Sequence, residues 1–160
     1  MSKNLSAAEK RTILGNLGEE YFHSLFPYLI RSSDKFDETC DFRDAFGRTY
    51  EVKTQALHPT LKLFSISFNN LTNKTKCSNV DHLIFIEYNE TDFITVYECI
   101  DVESAIVYIT KSTNKKMIGF PKDKMKIISA ATFNPQLASK MRAASSDYRF
   151  KTPRMRLEAP

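Results

Sequence analysis

Three side chains stand out for the chemistry that their types and spacing allow: Asp41, then Glu51, then Lys53 two positions beyond it. Two carboxylates and an amine can hold a divalent cation and act on a water molecule, provided the chain brings them together. The stretch around them offers the means. CDFRD (40–44) and RTYEVKTQ (48–55) each alternate in polarity, with Ala45-Phe46-Gly47 between them, which predicts a β-hairpin with a three-residue loop. Gly47 is expected in the left-handed conformation such loops favour at their last position. That loop pairs Asp44 with Arg48 and so sets Asp41 opposite Glu51.

Because side chains alternate across a strand, Cys40, Phe42, Tyr50 and Val52 share one apolar face, and Asp41, Arg43, Glu51 and Lys53 share the other. Directly opposed carboxylates destabilise a sheet unless positive charge sits between them. That charge is either a divalent cation or the neighbouring Lys53 and Arg43. Mg²⁺ prefers oxygen ligands in octahedral geometry, so Asp41, Glu51, the backbone carbonyl of Val52, water and a phosphate would suit it, with Mn²⁺ able to substitute. Lys53 would orient or help deprotonate the attacking water and offset transition-state charge. The chemistry is phosphodiester hydrolysis. Gln55, on the Glu51 face, and Arg43 are candidate substrate contacts; the plainer alternative for Gln55 is a polar strand residue facing solvent.

The elements that must position these groups can be read along the chain. Ser6 and Glu9 form an S-x-x-E capping box, so a helix starts there. Leu14, Leu17, Tyr21 and Leu25 recur at helical spacing, Ile13, Phe22 and Phe26 widen the stripe, and Pro27 ends it. After the hairpin, KLFSISF (62–68), HLIFIEY (82–88) and FITVYECI (93–100) read as strands, with the polar stretch 69–81 a loop or short helix. Asp101 is expected to cap a short helix through SAIVYIT (104–110), IGFPKD (118–123) to be a loop, and KMKIISA (124–130) a further strand. Asn134 and Pro135 mark the cap and first residue of a last helix. This order predicts an α/β domain with a central mixed β-sheet flanked by helices.

D-x9-E-V-K on a hairpin after an N-terminal helix resembles the PD-(D/E)XK nuclease superfamily, which includes many restriction enzymes and junction resolvases. Gly15-Asn16-Leu17-Gly18-Glu19 resembles the G-x-x-G-E pattern of its small members, in which the glutamate approaches the metal site from the helix. The resemblance implies a restriction-endonuclease-like fold, Mg²⁺-dependent cleavage of DNA, and Glu19 as a third acidic site residue. It covers the first half of the chain residue by residue and the second half by element order alone. Asp41 lacks the preceding proline common in the superfamily, and Asp37 is the alternative first acid should the register differ. An RNA endonuclease shares the chemistry. A non-catalytic nucleic-acid-binding or interaction domain is the rival from another class, with the acids neutralised by Lys53 and Arg43.

Composition sets the frame. The 160 residues, 42% hydrophobic, suffice for one core, expected as a domain over 1–148 followed by a basic tail over 149–160. A net charge of +4 permits a polyanionic partner without demanding one. Basic residues fall at Lys74 and Lys76, at Lys115, Lys116, Lys122 and Lys124, and at Arg142, Arg149, Lys151, Arg154 and Arg156; ordered along DNA they would neutralise phosphates without reading sequence. Cys40, Cys77 and Cys99 are too dispersed for a zinc knuckle and odd in number, and the polar N-terminus lacks a signal peptide, so a soluble, cytoplasmic protein without a membrane span is expected. His23, His58 and His82 have no ligand spacing, and no glycine-rich phosphate loop occurs, which argues against a nucleotide cofactor. A homodimer is expected, because one active site cuts one strand.

Overall fold

The computed structural model describes residues 4–32, 40–57, 62–67, 80–100, 105–110, 116–145 and the backbone of 155–157. Helix α1 (Ala7–Leu25) begins at the capping box: Ser6 Oγ accepts the Glu9 N–H at 3.1 Å and Glu9 Oε1 accepts the Ser6 N–H at 3.3 Å. Its Phe22 is fully buried, with Leu14, Leu17, Tyr21 and Phe26 packed against the same core, while Ile13 and Leu25 lie at the stripe's margins.

The strands form two sheets. β1 (Ile30–Arg31), β2 (Phe42–Arg43), β3 (Thr49–Gln55), β5 (His82–Tyr88), β6 (Phe93–Cys99) and β9 (Met125–Phe133) make a six-stranded sheet in the order β1-β2-β3-β5-β6-β9. Only β3 and β5 pair in parallel, so the sheet is mixed as expected. A second sheet, wholly antiparallel, runs β10-β7-β8-β4, from β10 (Met155–Leu157), β7 (Ile106–Thr110), β8 (Lys116–Pro121) and β4 (Leu63–Ser67).

Helices cover one face of the six-stranded sheet. Phe22 of α1 and Ala138 and Met141 of α2 (Pro135–Ala143) pack on Phe42, Val52, Ile84, Ile86, Ile94 and Val96. The other face carries Leu83, Phe85 and Tyr97, which meet Phe64 and Ile66 of β4 and Ile118 and Phe120 of β8. β5 therefore has both of its faces buried, which accounts for its nearly unbroken apolar run. The molecule is an α/β protein of three layers: helices, mixed sheet, antiparallel sheet.

Two expectations are corrected. SAIVYIT is not a helix: Ile106–Thr110 is strand β7, whose β-branched and aromatic residues pair with β8. Asp101, its expected cap, lies outside the described residues. IGFPKD is not a loop either, since Lys116–Pro121 is β8, and only Lys122–Lys124 form a short 3-10 turn. Toward the end of the chain the backbone of Met155–Leu157 pairs with β7. The last helix begins as expected, with Asn134 Oδ1 accepting the Leu137 N–H at 3.2 Å and Pro135 in its first turn. Among the described residues no helix is long and apolar enough to cross a membrane.

Candidate active site

The hairpin is built by its loop. Gly47 has φ +80°, and the Asp44 N–H donates to the Arg48 carbonyl at 3.0 Å. Asp44, a turn-favouring residue at the loop's start, organises the rest: Oδ1 accepts the N–H of Phe46 at 2.9 Å and of Arg48 at 3.0 Å. Its Oδ2 accepts from Arg48 Nε at 2.7 Å and the Tyr50 hydroxyl at 3.2 Å. Burial pushes the Asp44 carboxyl upward, but the hydrogen bonds from Arg48, Phe46 and Tyr50 outweigh it and hold the group below its ordinary range. The same burial, followed by the bond to Asp44 and that carboxylate's charge, pushes the Tyr50 hydroxyl up to about 12.

Phe42 then pairs with Tyr50 and Arg43 with Thr49, which is the register that sets Asp41 opposite Glu51. Regular pairing stops there, and Asp41 takes over with its side chain. Its N–H donates to the Tyr50 carbonyl at 2.9 Å, and its carboxylate Oδ2 accepts the Val52 N–H at 2.9 Å. Within a strand the N–H and C=O of one residue point to the same side, so the Val52 carbonyl is directed toward the Asp41 edge as well.

Glu51 and Lys53 lie on the face opposite Val52. Glu51 is 2% exposed, its Oε1 stands 3.3 Å from Lys53 Nζ, and Lys53 is half-buried. Asp41, at 9% exposure, is buried too. A carboxylate so withdrawn from water requires positive charge or hydrogen-bond donors close by. All the oxygens here, two carboxylates and a carbonyl, are hard ligands of the kind Mg²⁺ takes, and two protein carboxylates plus waters and a phosphate are its usual complement. Among the described residues no group of three or more His, Cys, Asp or Glu side chains is gathered around one point.

The remaining candidates differ in their surroundings. Glu19 pairs with Arg31 of β1 at 3.6 Å. The residue before it, Gly18, is buried against the Val52 side of β3: a Cβ on Gly18 would come within 1.6 Å of Thr54 Oγ1. The Gly-Glu pair thus has a packing reason, close approach of helix to strand. Gln55 is buried, with its amide engaged on both ends: Nε2 donates to the Ser65 carbonyl and Oε1 accepts the Ser65 N–H at 2.9 Å. It ties β3 to β4 across the two sheets, which takes its amide away from the substrate contact expected of it. Arg43 is exposed beside Ile30 on β1. Asp37 lies outside the described residues.

Sequence reasoning missed the supports around this site. Asp81 accepts the Thr49 N–H at 2.8 Å and the Thr49 hydroxyl at 3.1 Å, joining the start of β5 to the start of β3. His82 stacks on Tyr50 with ring centroids 4.4 Å apart and its Nδ1 meets Glu98 of β6. An Asp-His pair at the head of a strand carries no distinctive sequence pattern. No model of a known protein family matches the chain, and no curated protein matches it.

Proposed function

We propose that the chain is a divalent-metal-dependent DNA endonuclease of the PD-(D/E)XK kind, with a restriction-endonuclease-like core formed by α1 and β2, β3 and β5. The observation that carries this reading is the Asp41 carboxylate bonded to the Val52 N–H, beside the Glu51 and Lys53 pair on the same strand. Asp41, Glu51 and the Val52 carbonyl would hold Mg²⁺ or Mn²⁺, which when bound polarises the scissile phosphate. Lys53 would exchange its pairing with Glu51 for the attacking water and the phosphate oxygens, orienting the one and offsetting charge on the other. Arg43 would contact the DNA backbone. Glu19 would assist from the helix through Arg31, and two copies of the chain would cut the two strands of a duplex.

One observation favours the rival of a non-catalytic binding domain: Glu51 is already balanced by Lys53, and Asp41 by a backbone donor. The two readings separate in one assay. Plasmid, linear duplex, single-stranded and branched DNA, and RNA are incubated with the protein in Mn²⁺ or in EDTA. Metal-dependent cleavage of DNA, lost in Glu51→Gln, supports the nuclease; cleavage of RNA alone moves the substrate class, and no cleavage of any substrate in Mn²⁺ overturns the reading.

A further inference from the structure

The loop that sets the register also presents a side chain that it does not need. Phe46, at the tip between β2 and β3, is 84% exposed, more than any other large apolar residue described. Turn chemistry asks for Gly47 in the left-handed region and an acceptor at Asp44; it asks for no aromatic ring between them. Phe46 contributes little to burial, so nearly all of its ring faces solvent.

The backbone of the tip is held by side-chain hydrogen bonds. Asp44 fixes the Phe46 N–H at 2.9 Å and the Arg48 N–H at 3.0 Å, and the Arg48 side chain is bound to Asp44 at 2.7 Å. That bond leaves the Arg48 guanidinium over the Phe46 ring, 5.2 Å from its centroid. A second arginine of the hairpin, Arg43 on β2, three residues before Phe46, is exposed. A solvent-facing aromatic ring on a hydrogen-bonded turn, with one guanidinium over it and a second arginine on the same hairpin, has the chemistry of a base-stacking platform with phosphate contacts alongside.

We propose that the hairpin tip is a wedge, in which Phe46 stacks on an unpaired base while Arg43 and Arg48 meet the adjoining phosphates, so that the substrate is DNA in which duplex joins a single-stranded segment. This rests on the reading that the chain acts on DNA. A continuous duplex keeps its bases stacked and would offer Phe46 no face, whereas a fork or branch offers one at no unstacking cost.

The test measures binding in EDTA, so that cleavage plays no part. Full-length protein is titrated by fluorescence anisotropy, at one fixed salt concentration, into a labelled fork and into the matching continuous duplex. Wild type should prefer the fork. Phe46→Ala should weaken fork binding by about five- to a hundredfold, the scale of one base–aromatic stack, and leave duplex binding within roughly twofold. Phe46→Trp should retain the preference. A 2-aminopurine at the first unpaired position should be quenched by wild type and by Phe46→Trp but not by Phe46→Ala. Equal binding of wild type to fork and duplex, or a Phe46→Ala protein that keeps the preference and the quenching, overturns the wedge and leaves the DNA reading standing. Wild type that binds neither DNA overturns both.

Discussion

The Asp41 carboxylate accepts the Val52 N–H at 2.9 Å, across the hairpin and at the point where regular pairing of β2 with β3 ends. One side chain thereby does the work of a missing ladder bond and is fixed against the strand that carries Glu51 and Lys53. An aspartate used only as a ladder substitute and one poised to bind a cation differ in what they need: the first needs an acceptor oxygen, the second needs charge.

Asp41→Asn separates these needs. It keeps an acceptor for the Val52 N–H, so thermal unfolding should stay close to wild type, while calorimetric titration with Mn²⁺ should lose its binding heat. Asp41→Ala should lower stability as well, by about 1–3 kcal/mol, because a buried backbone donor is left unpaired. An Asp41→Asn protein that binds Mn²⁺ like wild type would remove Asp41 from the metal site.

Gly18→Ala tests the contact that seats α1 on β3. The new Cβ would lie 1.6 Å from Thr54 Oγ1 and 2.9 Å from its Cβ, so helix or strand must shift, and stability should fall by about 1–3 kcal/mol or more. Adding Thr54→Ala should recover part of the loss, not all, since the Cβ contact persists. Denaturant unfolding of the single and double variants checks both; a Gly18→Ala protein as stable as wild type would disprove the close approach.

The hairpin's register was legible in the sequence because two local signals agreed: the loop residues that give Gly47 its φ of +80° and the alternation that buries Phe42 and Val52. The helix caps at Ser6 and Asn134 were legible for the same reason. β7 and β8 were not, since a short apolar run such as AIVYI has no periodicity that separates strand from helix, and the residues that decide it lie on another strand. The role of Gln55 was hidden likewise. Its partner is the backbone of Ser65 on the second sheet, and no side-chain pattern announces a bond to backbone.

Asp44 and Tyr50 should confine the hairpin's stability to a pH window. Asp44 has a folded value below its ordinary 3.8, so its contribution is full above that pH and is lost as pH falls through the lowered value. Tyr50 has a folded value raised from 10.0 to about 12, so its neutral hydroxyl stabilises fully below pH 10 and ceases to as pH rises through about 12. Melting temperatures of wild type, Asp44→Asn and Tyr50→Phe across pH should show the advantage over Asp44→Asn shrinking in acid and that over Tyr50→Phe shrinking in alkali. A wild-type advantage that stayed constant through both limits would mean that neither ionisation is linked to folding.

Lys53 distinguishes catalysis from metal binding, because a cation beside a metal site does nothing to hold the metal. Lys53→Met keeps much of the apolar stem and removes the charge. Glu51, 2% exposed, then loses a partner 3.3 Å away, so the variant should be less stable by about 1–3 kcal/mol at neutral pH. For the same reason its Mn²⁺ affinity should be equal or higher, since Glu51 no longer divides its charge between the lysine and the ion and a repulsive neighbour is gone. Cleavage should nevertheless fall by at least on the order of a hundredfold, the scale of deleting a group that positions water or offsets transition-state charge. Calorimetry and cleavage on the same folded preparation decide it: undiminished cleavage would take Lys53 out of the reaction, and lost Mn²⁺ binding would make it a structural support for Glu51 instead.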